Sequence, residues 1–202
     1  CAELNADGTI KDIVITSPGS GYASGQPVTI TLVGGGGGSG ATFAGLTASV
    51  ASIGGGLTKT GNGTLTLSGA NTYTGGTTNS AGVLRLGLAT ALPVGRTLTV
   101  NGGTVDMQNY NVAIGSLSGT GGSIAVGGQL VVTQSADAAY GGVIAGAGVL
   151  SKAGTASLTL SGINTYSGGT TISEGTLTVN NSAALGTGTL TMSGGTLSNS
   201  VN

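Results

Sequence analysis

Histidine and tryptophan are absent from the 202 residues, and charge is scarce: five Lys or Arg and six Asp or Glu, 5% of the chain. An ordinary soluble domain carries roughly 25%. Without His there is no imidazole base and no imidazole metal ligand. A net charge of −1 lacks the basic footprint that nucleic acid requires, so no nucleic-acid partner is expected. A single cysteine, Cys1, excludes a disulfide framework. Three prolines and no Gly-X-Y period exclude collagen. The uncharged stretch from Ile13 to Thr58 is broken by Gly every few residues, so no membrane-spanning helix is expected. No signal peptide is visible. A chain beginning at Cys1 suits either a processed lipoprotein whose cysteine carried lipid or a fragment with an arbitrary start.

Aromatics are also few, one Phe and five Tyr, whereas Gly (43) and Thr (31) are abundant and 38% of residues are hydrophobic. Gly and Thr are weak helix formers. Hydrophobicity is too high, and net charge too low, for the usual disordered chain. The composition therefore predicts an all-β protein with many tight turns.

An internal repeat organises the chain. Leu57–Leu86 reads LTKTGNGTLTLSGANTYTGGTTNSAGVLRL and Leu150–Val179 reads LSKAGTASLTLSGINTYSGGTTISEGTLTV. The offset is 93 residues, without a gap, and 18 of the 30 positions are identical. Asn71, Tyr73, Gly75 and Gly76 answer Asn164, Tyr166, Gly168 and Gly169. Within each copy, Leu and Val alternate with Thr and Ser, as in Thr64-Leu65-Thr66-Leu67 and Thr176-Leu177-Thr178-Val179. Alternation over four to six residues, bounded by Gly or Asn, marks half-buried strands. Gly-Asn-Gly, Thr-Gly-Gly and Asn-Gly-Gly between them are turn chemistry.

Short strands and regular turns fit a sandwich, a barrel or a solenoid. A two-sheet core usually draws on large aromatics, and six in 202 residues are too few. A solenoid needs only a column of Leu, Val and Ile stacked from coil to coil. The expected fold is a parallel β-helix (β-solenoid) over residues 51–202, with coils of 20–24 residues and repeat units at 57–149 and 150–202. Leu65, Leu67, Leu84, Leu86, Leu98, Val100, Leu158, Leu160, Leu177, Val179, Leu190 and Met192 are expected to point inward. About seven coils at ~4.8 Å each make a rod roughly 30–35 Å long.

The string GGLTKTGNGTLTLSGANTYTGGTT at 55–78 resembles the autotransporter-associated β-strand repeat, also called the passenger-associated transport repeat. The copy at 148–171 is similar, and the lead-in stretches 114–122 and 140–154 resemble the same family. The resemblance covers about 57–198. It implies a right-handed parallel β-helix in large, secreted bacterial surface proteins, and so an extracellular or cell-surface location. The family's C-terminal outer-membrane barrel is absent from this sequence, which leaves open an autotransporter fragment or a stand-alone user of the repeat.

Residues 1–50 differ. Two strands flank Ser17–Tyr22, and a Gly-rich tether follows at Gly34–Gly40. They read as a distinct N-terminal β unit. Its apolar strand, with Val28, Ile30 and Leu32, is a possible assembly strand for the open end of the solenoid. The C-terminal segment from Gly194 has no charge and no helix-forming cap. End-to-end homo-association, or continuation in a longer chain, is expected.

Chemistry is sparse. The Gly34–Gly40 run lacks the Gly-Lys-Ser/Thr of a phosphate loop. Asp106, Asp137 and Glu174 are the carboxylates a polysaccharide-cleaving β-helix would use, but such enzymes cluster them, and these lie 31 and 37 residues apart. Asn71 and Asn164 suit turn ladders from coil to coil. Tyr73 and Tyr166 suit corner contacts rather than a sugar-stacking face. Thr-x-Thr pairs at 29–31, 64–66, 97–99, 176–178 and 189–191 invite an ice-binding array, but strand propensity accounts for them. No catalytic, cofactor or metal residues are assigned. The expected role is a structural stalk, an adhesin-like passenger or a filament subunit, with no glycan or host partner specified. The alternative is a carbohydrate-binding or carbohydrate-cleaving β-helix.

Overall fold

The structure, a computed structural model, describes residues 55–200 and, before them, the backbone of three short strands. β1 (Ala2–Leu4) and β2 (Ile10–Ile13) pair antiparallel. β3 (Ile30–Leu32) lies parallel against β4 (Leu57–Lys59), the first strand of the rod. Cys1, Val28, the tether Gly34–Gly40 and most of the boundary at 51–56 lie outside the described residues.

From residue 57 onward the chain winds as a solenoid, and every strand pairing is parallel. The first two coils carry two strands each: β4 and β5 (Thr64–Leu67), then β6 (Thr77–Asn79) and β7 (Val83–Leu86). The next three carry three: β8 (Thr97–Val100), β9 (Thr104–Asp106) and β10 (Val112–Ile114); β11 (Ser116–Ser118), β12 (Ser123–Ala125) and β13 (Gln129–Thr133); β14 (Ala138–Tyr140), β15 (Val143–Ala145) and β16 (Val149–Ala153). Two-strand coils return with β17 (Ser157–Leu160) and β18 (Thr170–Ile172), then β19 (Thr176–Val179) and β20 (Leu190–Met192), and β21 (Thr196–Asn199) closes the described chain.

Three faces result. Face 1 stacks β4, β6, β8 and β11, then passes through the bridge Gly119↔Tyr140 to β14, β17, β19 and β21. Face 2 stacks β5, β7, β9, β12 and β15, and face 3 stacks β10, β13, β16, β18 and β20. Register between coils runs from 18 residues (Val112 to Leu130) to 21 (Thr77 to Leu98), slightly below the expected 20–24. Seven full turns separate Leu57 from Leu197 along face 1, a rise of about 34 Å at ~4.8 Å per coil.

The core is the set of inward columns that alternation demands. On face 2, Leu65, Leu84, Val105, Ile124 and Ile144 stack in register and are buried. Leu67, Leu86, Leu98, Val100, Leu158, Leu160 and Leu177 are buried as expected. Three expected core residues are not. Val179 and Leu190 are only partly buried, and Met192 is 49% exposed. Met192 pairs in register with Ile172 of the preceding coil, but no strand beyond β20 covers it among the described residues.

Candidate functional site

The repeat concentrates its polar chemistry inside the rod. In β4 the alternation Leu57-Thr58-Lys59 puts Lys59 on the same inward side as Leu57, and both are buried. In β16, Lys152 is likewise fully buried. Each ammonium donates to three backbone carbonyls. Lys59 Nζ reaches the oxygens of Thr60 (2.8 Å), Gly61 (2.7 Å) and Ala81 (3.1 Å). Lys152 Nζ reaches those of Ala153 (2.9 Å), Gly154 (2.8 Å) and Glu174 (3.1 Å). The two sets correspond residue for residue at the 93-residue offset. Burial holds both lysines below the ordinary pKa, and Glu174 opposes that shift at Lys152. The sequence reading missed this pair. The signal was available: two lysines at matched positions on the apolar parity of a strand.

Asn164 is buried and bridges three coils. Its Oδ1 accepts from the Ile144 amide (2.7 Å) and its Nδ2 donates to Ala184 O (2.6 Å). Asn71, partly buried, makes the equivalent bond to Ala91 O (2.8 Å) and a second to Gly69 O (3.2 Å). Tyr73 and Tyr166 each share a 2.5 Å hydroxyl contact with a threonine four residues on, Thr77 and Thr170. Tyr166 is wholly buried, so it offers no stacking face. Burial raises both tyrosines' pKa values against the smaller opposing effect of those threonine bonds. Gly75 and Gly168 pass so close to the previous coil that their amides bond Gly55 O (2.8 Å) and Gly148 O (3.1 Å). A Cβ on Gly75 would stand 2.7 Å from Gly55 O, and one on Gly168 would stand 2.5 Å from Gly148 O. Gly76 and Gly169 approach the following coil in the same way, at Thr97 O and Thr189 O.

Two further buried groups escaped the sequence reading. Where face 1 narrows to the Gly119↔Tyr140 bridge, Gln134 Oε1 takes the Leu117 amide (3.1 Å) in place of a strand. Tyr140 fills the column opposite side-chain-free Gly119, and burial raises its pKa well above the ordinary tyrosine range.

The carboxylates sit at separate places along the rod. Asp106 on face 2 pairs with Arg85 of the preceding coil at 3.0 Å. Asp137 accepts the Ser157 amide at 2.8 Å. Glu174 is exposed in the turn between β18 and β19. No group of three or more His, Cys, Asp or Glu positioned for a metal exists among the described residues. The Thr-x-Thr pairs also spread over the faces: 64–66 on face 2, 97–99 and 176–178 on face 1, and 189–191 at face 3. On face 1 hydroxyls bond between coils, Thr99 to Ser118 at 2.9 Å and Ser157 to Thr178 at 3.3 Å. Ile30 and Leu32 of the possible assembly strand lie in β3, paired with β4 of the same chain.

The passenger-associated-transport-repeat family model matches residues 57–86 and 145–179. These are the two segments that hold the lysine cages, the asparagines and the tyrosines. The chain is also similar to the Adhesin BmaC autotransporter of Brucella suis biovar 1 (strain 1330), at 45% identity over 152 residues. That alignment covers 70% of this chain and 4% of the adhesin. No solved structure matches. No helix among the described residues is long and apolar enough to cross a membrane.

Proposed function

We propose that the chain, whose residues 57–86 and 145–179 match the passenger-associated-transport-repeat model, is a stretch of secreted passenger that serves as a rigid, adhesin-like stalk at the cell surface. The observation that carries this reading is the fate of the repeat's polar side chains. Lys59, Lys152, Asn164 and Tyr166 are buried and spent on bonds within the rod. Lys59, Lys152 and Asn164 hold coil to coil, which is what a stalk requires. The similarity to an adhesin autotransporter supports an extracellular place and an adhesive context. The chain spans 4% of that protein, so the alignment names no adhesive target for this segment.

The carbohydrate-binding or carbohydrate-cleaving alternative finds less support. Tyr166 is inside the rod, and Asp106 is paired with Arg85. End-to-end association is the second half of the proposed role. β20 and β21 pair on one side only among the described residues, and such an edge accepts a further parallel strand. A following coil of a longer chain and a second copy would both fit there.

Displaying the chain on a non-adherent bacterium tests the reading. A surface-accessible, protease-resistant segment that raises attachment, or that extends an attached binding module, is the expected result. Retention inside the cell, or turnover of polysaccharide by the purified chain, would overturn it. Light scattering over a concentration series tests the edge, with end-to-end growth expected only if a second copy fills it.

A further inference from the structure

We propose that the turn following the first strand of each repeat is a primary-ammonium site built from backbone carbonyls, and that Lys59 and Lys152 are its tethered ligands, pinning one coil to the next. The site stands independently of any adhesive role.

Stoichiometry comes first. An ammonium has three N–H donors, and each cage presents three carbonyl oxygens at 2.7 to 3.1 Å. Two oxygens come from the lysine's own turn and the third from the turn of the next coil, 22 residues on. All three protons are therefore used. Calcium and magnesium demand six or more oxygen ligands, which three carbonyls do not supply.

The cage also has its own framework. Gly61 and Gly82 hold φ +73° and +66°, and Gly154 and Gly175 hold +75° and +67°. Those left-handed turns bring the cage carbonyls together, and they favour glycine. A Cβ on Gly82 would stand 2.7 Å from Lys59 Nζ. The glycine thus keeps the pocket open for the ammonium.

The two cages test one another. Lys59 lies on face 1, paired with Asn79, and Lys152 on face 3, paired with Ile172. Their neighbours differ, yet the acceptors are equivalent. Glu174 stands at one third-acceptor position and Ala81 at the other, so the cage forms with or without a carboxylate nearby. It travels with the repeat and not with the face.

Chemical rescue decides the matter. In the full chain, Lys152→Ala should lower the urea midpoint, and n-propylammonium, which matches the deleted atoms, should restore more than half of the loss. Potassium chloride and tetramethylammonium at equal ionic strength should restore none, and the wild type should respond to none of them. Equal rescue by any salt would overturn the proposal, as would a Lys152→Met variant that matches the wild type. If Lys152→Ala does not fold in plain buffer, folding on addition of n-propylammonium is the expected result. Failure to fold there, with Lys152→Met folded, overturns it. Lys59→Ala should behave alike. Rescue confined to Lys152 would assign the effect to the Glu174 carboxylate and sink the carbonyl cage.

Discussion

Leu57 and Leu150 open the two copies of the repeat, yet Leu57 lies in β4 on face 1 and Leu150 in β16 on face 3. The chain between them makes four full coils and crosses two further faces. The second copy is therefore the first, moved along one axis and turned by one face. Copy 1 sets its strands on faces 1 and 2, and copy 2 on faces 3 and 1. The Asn-Tyr loop of copy 2 consequently stacks on face 2, where Thr165 N–H bonds Ile144 O at 2.9 Å. The repeat is a module of a coil and a half that two different pairs of faces accept.

Because each coil contacts only its neighbours, a whole coil is removable. Deleting residues 119–139 joins Ser118 to Tyr140, the in-register partner of Gly119. A folded rod with a smaller urea m-value is expected. Loss of all parallel-sheet signal by circular dichroism would contradict the module.

Core depth grades the cost of truncation. Leu160 is fully buried and Met192 is half exposed. Leu160→Ala should destabilise by roughly 2–5 kcal/mol, and Met192→Ala by about 1 kcal/mol or less. Urea unfolding of the two variants, side by side, checks the order.

Asn164 serves two buried backbone groups, Ile144 N–H and Ala184 O. Asn164→Ala strands both and should cost about 2–4 kcal/mol, since each orphaned buried group costs ~1–3 kcal/mol. Asn71, partly buried, should cost less. An Asn164→Ala midpoint equal to that of the wild type would show that the ladder carries no stability.

Close approach makes a second graded pair. A Cβ on Gly168 meets Gly148 O and Ala147 O, whereas one on Gly63 meets nothing within 4 Å. Gly168→Ala should destabilise by ~1–3 kcal/mol because backbone cannot yield as a side chain does. Gly63→Ala should stay within about 0.5 kcal/mol. Thermal melts of both variants report the difference.

Alkali should unfold the rod, and the direction follows from burial. Tyr73, Tyr140 and Tyr166 have folded pKa values above the ordinary ~10. Above about pH 10 the unfolded chain releases those protons first, so stability falls as pH rises. Lys59 and Lys152 act oppositely, because their folded values are lowered. The unfolded chain then holds more protons just below ~10.4, and stability rises with pH through that window. A maximum near pH 10, with loss beyond it, is expected in a pH series of urea midpoints. Tyr140 donates only long contacts, 3.4 Å to Gly122 O and 3.5 Å to Val143 O. Tyr140→Phe should therefore fold normally and lose less stability at high pH. An unchanged alkaline limb would refute that assignment.

Much of the rod was legible in one dimension. Strict alternation at 64–67 and 176–179 placed Leu65, Leu67 and Leu177 inward, because the parity of a strand is a local property of the backbone. Glycines marked the turns for the same reason, and the scarcity of aromatics separated a solenoid from a two-sheet core. The exposure of Met192 was not local. Parity alone points it inward, but burial needs a coil above it. Face assignment was not local either. Register varies between 18 and 21 residues per coil, and the azimuth of Leu150 is the sum of those increments over the intervening turns. Nor does one strand show where Lys59 and Lys152 find acceptors, since the third carbonyl of each arrives from 22 residues away. The sequence by itself determined which residues alternate and where the chain turns. Only stacking in three dimensions decided which face each copy occupies and which buried charges are satisfied.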